Sequence, residues 1–157
     1  MNACVLNDTF ESILKPQLMN SFIRKSFFIL IVPFSCYAYS QEKMVTLNVE
    51  ICNLRSNKGN ILLQLADSVG NLISKKSEKI SDNKCLLQFN NLQGGKYTIR
   101  YFHDENANGS LDTNWLGLPK EGYGFSNNAL AMFGPPSLNE RLFEVRNDLK
   151  ITLKPKY

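Results

Sequence analysis

Residues 104–112 carry the side chains whose types and spacing are the most specific for chemistry in this sequence. They read D-x-N-x-N-G-x-x-D, with oxygen-bearing side chains at alternate positions and a glycine where a sharp turn is needed. Calcium prefers about six to eight oxygen ligands, and alternate side chains of such a loop converge on one point. We therefore predict a calcium site, with Ser110 contributing its backbone carbonyl, formed by Asp104, Asn106, Asn108, Ser110, Asp112 and Glu121.

This loop differs from an EF-hand in ways that affect its affinity. Trp115 occupies the twelfth position, where an EF-hand has a bidentate glutamate, and no helical pattern flanks the loop. Glu121 or Glu105 would have to complete the ligand set, so we expect modest affinity. The alternative is an Asx-rich turn, in which Asp and Asn side chains cap their own backbone without metal. Both interpretations remain open at this point.

His103 is the one histidine of the chain and adjoins Asp104. As a catalytic base it would act with a neighbouring carboxylate, namely Asp104, Asp112 or Glu121. The sequence has no zinc-ligand spacing, no G-x-S-x-G elbow, no Walker loop and no H-E-x-x-H motif. We therefore expect no enzymatic activity and no catalytic residues, with a hydrolase-like enzyme using His103 as an alternative hypothesis.

The elements that must position these residues are short strands. Residues 44–52 alternate apolar and polar side chains with period two, which is typical of a half-buried strand. Similar segments separated by Gly/Asn turns are 61–66, 85–89, 96–103, 141–145 and 149–153, the last two predicted as a hairpin. The polar stretch 67–83 suits either a short helix or a strand. We predict an all-β antiparallel β-sandwich of about seven strands.

The segment from residue 104 to about residue 139 is too long for a plain connection. Its apolar content argues against disorder, so we predict one long ordered loop that packs onto the sheets, with Leu111 in the core. The apolar residues concerned are Trp115, Leu116, Leu118, Tyr123, Phe125, Leu130, Met132 and Phe133.

The N-terminal 40 residues have the pattern of an export signal. Arg24 and Lys25 precede the apolar run 27–34, and small residues follow it. We predict a signal peptide within residues 1–40, with Met19 as the true start, and a single β-sandwich domain over residues 41–157. The protein is then exported, to the periplasm or beyond the cell.

Composition limits the remaining classes. The chain has 157 residues, 43% of them apolar, and a formal charge of +4, which fits a single globular domain rather than a disordered chain. The basic residues are dispersed, which does not favour nucleic-acid binding. We expect a monomer with no transmembrane segment in the mature chain. Cys52 and Cys85 are predicted on opposite strand faces, which makes a disulfide awkward and leaves their pairing open.

Three long stretches identify a family resemblance. The segments HDENANGSLDTN at 103–114, GLPKEGYGFSNN at 117–128 and FGPPS at 133–137 resemble the bacterial domain of unknown function 2141. The resemblance implies an exported single-domain β-sandwich of immunoglobulin-like or transthyretin-like type, and it implies no established activity.

The function that these observations favour is that of a non-enzymatic structural or binding module. Calcium would order the loop, which would present Trp115, Tyr123 and Phe125 to a protein or carbohydrate partner. Between presentation to a partner and packing as a lid over the open end of the sandwich, we favour the lid for these aromatic side chains.

Overall fold

The computed structural model describes residues 43–130 and 134–157, which form two β-sheets around a shared apolar core. This confirms the all-β sandwich, whereas the immunoglobulin-like or transthyretin-like type stays a prediction. The signal peptide and the start at Met19 lie outside the described residues. No helix among the described residues has the length and apolarity needed to cross a membrane.

Eight strands form in the described residues, one more than the approximate prediction. They are β1 (Met44–Ile51), β2 (Asn60–Asp67), β3 (Leu72–Lys79), β4 (Cys85–Gln93), β5 (Gly95–Asp104), β6 (Tyr123–Phe125), β7 (Phe143–Val145) and β8 (Leu149–Leu153). A 3-10 turn (Ser126–Asn128) and a short helix α1 (Leu138–Arg141) precede β7. The polar stretch whose structure the sequence left open contains strand β3.

The strands are divided between a three-stranded and a five-stranded sheet. The smaller sheet has the order β4-β1-β8, and the larger has the order β3-β2-β5-β6. Strand β7 pairs with the first residues of β5, on the edge that β6 occupies further along. Strand β5 is therefore central, and its C-terminal end leads directly into the 104–112 loop.

The predicted hairpin between the last two strands is wrong. Strand β7 pairs with β5 in the larger sheet, and β8 pairs in parallel with β1 in the smaller one. The connection is a crossover between sheets, and Asp148 fixes it by accepting the backbone N–H of Thr46 at 2.8 Å. The Asn147-Asp148 signal marks a change of chain direction, but it does not specify which strand the chain meets next.

The core follows the predicted alternation. Val45, Leu47, Val49 and Ile51 of β1 are all buried, and Cys85 of β4 faces the same core. Cys52 is half-buried, and the structure shows both cysteines as free thiols. Burial raises the pKa of the Cys85 thiol to about 12.

Ser126 fills the gap on the edge of β5 between β6 and β7. Its side chain is fully buried, and its Oγ accepts the backbone N–H of Ile99 at 3.0 Å. The same hydroxyl donates to the carbonyl of Arg141. One side chain thus replaces a missing strand contact and attaches α1 to the sheet.

The prediction that the long segment packs onto the sheets is wrong for several of its residues. Leu111 is half-buried and lies outside the apolar core. Met132 and Phe133 lie outside the described residues, and Tyr123 and Phe125 are half-buried. Trp115, Leu116, Leu118 and Leu130 are exposed.

Gly59 lies in the crossover before β2, where a larger residue has no room. Its φ is +71°, and a Cβ built on it would lie 1.8 Å from the carbonyl oxygen of Asp104. Gly117 has a similar φ of +79°, but no heavy atom of the described residues lies within 4 Å of such a Cβ. Substitution of each glycine therefore distinguishes the cost of backbone strain, which both positions have, from the cost of steric overlap, which only Gly59 has.

We expect Gly59→Ala to lower the free energy of unfolding by about 2–5 kcal/mol, because strain and overlap add. Gly117→Ala should cost about 1–2 kcal/mol, from strain alone. Urea denaturation of both variants measures the difference. Equal losses would show that Gly59 is not held against Asp104.

Candidate metal centre

Asp104 begins the loop from a buried position. It is the last residue of β5, pairs with Asn60 of β2, and is 2% exposed. Its Oδ1 accepts the backbone N–H of Asn108 at 3.0 Å, and its Oδ2 accepts that of Gly109 at 2.8 Å. These two bonds hold the chain in a tight turn directly after β5 ends.

The two asparagines repeat this capping further along the loop. Asn106 Oδ1 accepts the N–H of Asn108 at 3.1 Å, and Asn108 Oδ1 accepts the N–H of Ser110 at 2.8 Å. Each bond spans two residues, which is the geometry of an Asx turn. The Asx-capped turn, which was the alternative to a metal loop, is therefore present in the structure.

Asp112 closes the loop from its other end. It accepts hydrogen bonds from Nδ2 of Asn106 at 2.7 Å and from Nδ2 of Asn108 at 3.1 Å. The carboxylate of Asp112 and the two amide groups consequently meet on the same side of the loop.

Glu121 joins the two ends of the loop. Its Oε1 accepts the N–H of Glu105 at 2.9 Å, and its Oε2 accepts the N–H of Asp112 at 3.0 Å. The residue is 5% exposed, although it lies in an irregular connection. We call this pair of bonds the Glu121 clamp.

The predicted ligands are therefore together, but not all point at one centre. Asp104, Asn106, Asn108 and Asp112 form a connected network of hydrogen bonds, which Ser110 and Glu121 join through backbone N–H groups. Within residues 43–130 and 134–157, no three His, Cys, Asp or Glu side chains are arranged as a metal-holding group.

Within the part of the chain that the structure describes, the charges of this network have no cationic side chain beside them. Among the described residues, no Lys, Arg or His nitrogen lies within 4.0 Å of the carboxylates of Asp104, Asp112 or Glu121. Arg55 forms an ion pair with Glu105 instead, with Nη2 and Oε1 2.6 Å apart. As far as residues 43–130 and 134–157 are concerned, hydrogen-bond donors therefore stabilise the three carboxylates without an ion pair.

His103 begins a chain of hydrogen bonds that runs from the core to the exposed Tyr157. The histidine is fully buried, and its Nε2 lies 2.8 Å from the carbonyl oxygen of Lys58. Because a carbonyl can only accept, Nε2 carries the hydrogen, and Nδ1 accepts from the Tyr157 hydroxyl at 2.8 Å. The Tyr157 oxygen accepts in turn from the N–H of Arg55 at 3.1 Å. Both ring nitrogens are occupied, which gives the hydrolase hypothesis no support.

Arg55 connects this chain to the loop. Its guanidinium lies 4.5 Å above the centroid of the Tyr157 ring, and its Nε donates to Glu105 at 2.7 Å. It also donates to the carbonyl of Lys120 at 3.2 Å. No local pattern in the sequence predicts these contacts, because they join three segments that are far apart in the chain.

An exposed apolar tip extends from the loop between Asp112 and Glu121. We call residues 113–119 the Trp115 tip; in it Trp115 is 90%, Leu116 60% and Leu118 58% exposed. Asn114 Oδ1 accepts the N–H groups of Leu116 and Leu118, each at 2.9 Å. The tip is thus a defined turn that holds its apolar side chains in solvent.

We expect Tyr157→Phe to lower the free energy of unfolding by about 1–3 kcal/mol, because His103 Nδ1 and the Arg55 N–H lose their partner. The matched control is Tyr101→Phe. The Tyr101 hydroxyl is buried and has no hydrogen-bond partner among the described residues, so its removal should cost nothing. Urea denaturation compares the two variants, and equal stabilities would contradict the assigned chain of hydrogen bonds.

Comparison with known proteins agrees with the resemblance of the loop segments. The family model described as an uncharacterized protein conserved in bacteria, DUF2141, matches residues 49–152. The search of curated proteins and the search of solved structures each gave no match. Since the matched residues make up more than half of its length, the chain belongs to the DUF2141 family.

Proposed function

We propose that the 104–112 loop binds calcium together with Glu121, and that the bound ion fixes the Trp115 tip for contact with a partner. The protein is then a non-enzymatic binding module. The observation that carries this proposal is the burial of Asp104 and Glu121, at 2% and 5% exposure, with no cationic side chain within 4.0 Å among the described residues.

Burying carboxylates in this way requires compensation. Removing an ionised carboxylate from water costs several kcal/mol, and buried charges are normally paired or bound to metal. Here Asp104 and Glu121 receive two backbone N–H donors each. The lone pairs that remain on these carboxylates can bind a divalent cation, and the half-buried Asp112 adds a third charge.

The chemistry of the donors favours calcium over other common cations. Carboxylate and amide oxygens are hard ligands, and an irregular loop can supply the irregular coordination that calcium accepts. Magnesium demands a smaller, nearly octahedral shell, and zinc prefers nitrogen and sulfur ligands.

Calcium binding requires a local rearrangement. Asn106 and Asn108 direct their Nδ2 groups at Asp112, so both amides must turn their oxygens toward the ion. That rearrangement costs part of the binding free energy. We therefore expect a dissociation constant for calcium of about 10⁻⁴–10⁻³ M, the range typical of extracellular calcium modules. Such an affinity is useful in the exported compartment that we propose for this protein.

The Glu121 clamp links the ion to the Trp115 tip. The tip begins after Asp112 and ends before Glu121, and the bond between these residues closes its base. An ion that fixes both residues reduces the freedom of the tip before it meets a partner, which lowers the entropic cost of association. Exposed Trp and Leu side chains side by side favour an apolar protein surface as the partner.

Calcium titration after chelation should show saturable heat and a higher melting temperature, because the ion binds only the folded state. Asp104→Asn and Asp112→Asn should each weaken binding by about tenfold or more, since each removes a charge from the site.

Asp67→Asn is the control for this titration. Asp67 caps the β2–β3 turn by accepting the N–H groups of Val69 and Asn71 at 3.0 and 2.8 Å. It resembles Asp104 as a cap but lies outside the loop, so its variant should bind calcium normally. Absence of heat and of a melting shift at about 10 mM calcium would leave only an Asx-capped turn.

A carbohydrate partner is the second candidate, because Trp115 is 90% exposed and can stack on a sugar ring. Trp115 is the one tryptophan of the chain, so intrinsic fluorescence reports on the tip alone.

We expect iodide to quench this fluorescence nearly as strongly as that of free tryptophan. Trp115→Ala should change the free energy of unfolding by less than about 0.5 kcal/mol. Weak quenching with a large loss of stability would show that the tryptophan packs as a lid, and that the proposed contact surface does not exist.

A further inference from the structure

A groove crosses the outer face of the five-stranded sheet, on the side away from the core. Its larger hollow has a volume of about 300 Å³ and lies between strands, loop and helix. We call it the arginine groove; most of its lining is apolar or aromatic, and the residues that form its walls include Leu62, Phe102, Leu111, Tyr123, Phe125 and Arg141.

A smaller hollow continues the groove toward β3. Its volume is about 160 Å³, and it shares Gln64, Arg100 and Arg141 with the larger one. Arg100 and Arg141 therefore border both hollows, and most of the other residues around the larger hollow are apolar or aromatic. A cavity of this size with a few polar groups among apolar walls has the composition of a small-molecule site.

The two arginines are held in place with no charged partner in the described part of the chain. Arg100 Nε donates to Gln64 Oε1 at 2.6 Å, and the Arg141 guanidinium lies 5.5 Å from the centroid of the Phe125 ring. Among the described residues, no carboxylate oxygen lies within 4.0 Å of either guanidinium. Arg55 and Arg146, in contrast, are each paired with a glutamate.

We infer that the arginine groove binds a small amphipathic carboxylate, with its carboxylate between Arg100 and Arg141 and its apolar body in the larger hollow. Guanidinium groups recognise carboxylates by paired, charge-assisted hydrogen bonds. Two of them beside apolar and aromatic walls match a ligand that has one anionic end and one apolar end. This inference concerns a ligand other than calcium and does not depend on the proposed function.

The test is titration of the full chain with octanoate in the presence of a metal chelator, followed by calorimetry and by the melting temperature. Acetate keeps the carboxylate without the apolar body, and 1-octanol keeps the chain without the charge. We expect octanoate to bind about tenfold or more tightly than either of them, because only octanoate satisfies both parts of the groove.

Arg100→Met with Arg141→Met removes both charges and keeps much of the aliphatic length. The double variant should bind octanoate about tenfold or more weakly than the wild type. Arg146→Met, which changes an arginine outside the groove, should bind octanoate normally, and melting temperatures confirm that each variant is folded.

Several results would overturn the inference. They are no octanoate binding at about 10 mM, equal binding by the double variant, and acetate or octanol binding as tightly as octanoate. Sedimentation supplies one further outcome. A dimer that dissociates in the double variant would show that a second copy of the chain, rather than a small carboxylate, occupies the groove.

Discussion

The burial of Asp104 and Glu121 is the constraint on which the loop side of this molecule depends. Neither carboxylate has a cationic side chain within 4.0 Å among the described residues, so backbone N–H groups must approach and compensate them. Asp104 turns the chain as β5 ends, and Glu121 holds the two ends of the loop together. This need for donors explains why a Gly/Asn-rich segment adopts one conformation.

Three features of the surface follow from this closed loop. The Trp115 tip has its base fixed between Asp112 and Glu121. Leu111, inside the loop, forms one wall of the arginine groove. Arg55 ties Glu105 and the carbonyl of Lys120 to the first crossover of the sandwich. The conformation of the loop thus contributes to two separate surfaces, one apolar and exposed and one apolar with positive charge.

The sequence allowed the strands and the loop to be predicted because local patterns encode both. Alternation located β1 and its buried residues, and the Asp/Asn/Gly spacing located the turn. The pairing of the strands could not be predicted from the sequence. The apolar pattern of β8 fits either sheet, and only packing in the folded protein selects β1 as its partner. The contact of His103 with Tyr157 spans 54 residues and leaves no local signal. We expected Trp115 to be buried because its segment is rich in apolar residues. Apolar content does not show which side chains point into solvent from the turn that Asn114 caps.

Amide hydrogen exchange of the loop, with chelator and then with calcium, tests the central claim most directly. The relevant backbone N–H groups are those that donate hydrogen bonds to the carboxylates of Asp104 and Glu121. They belong to Glu105, Asn108, Gly109 and Asp112. Our account predicts that calcium slows the exchange of these four amides, while those of Val69 and Asn71, which Asp67 caps, exchange as before. Equal exchange in both conditions would contradict a calcium-ordered loop.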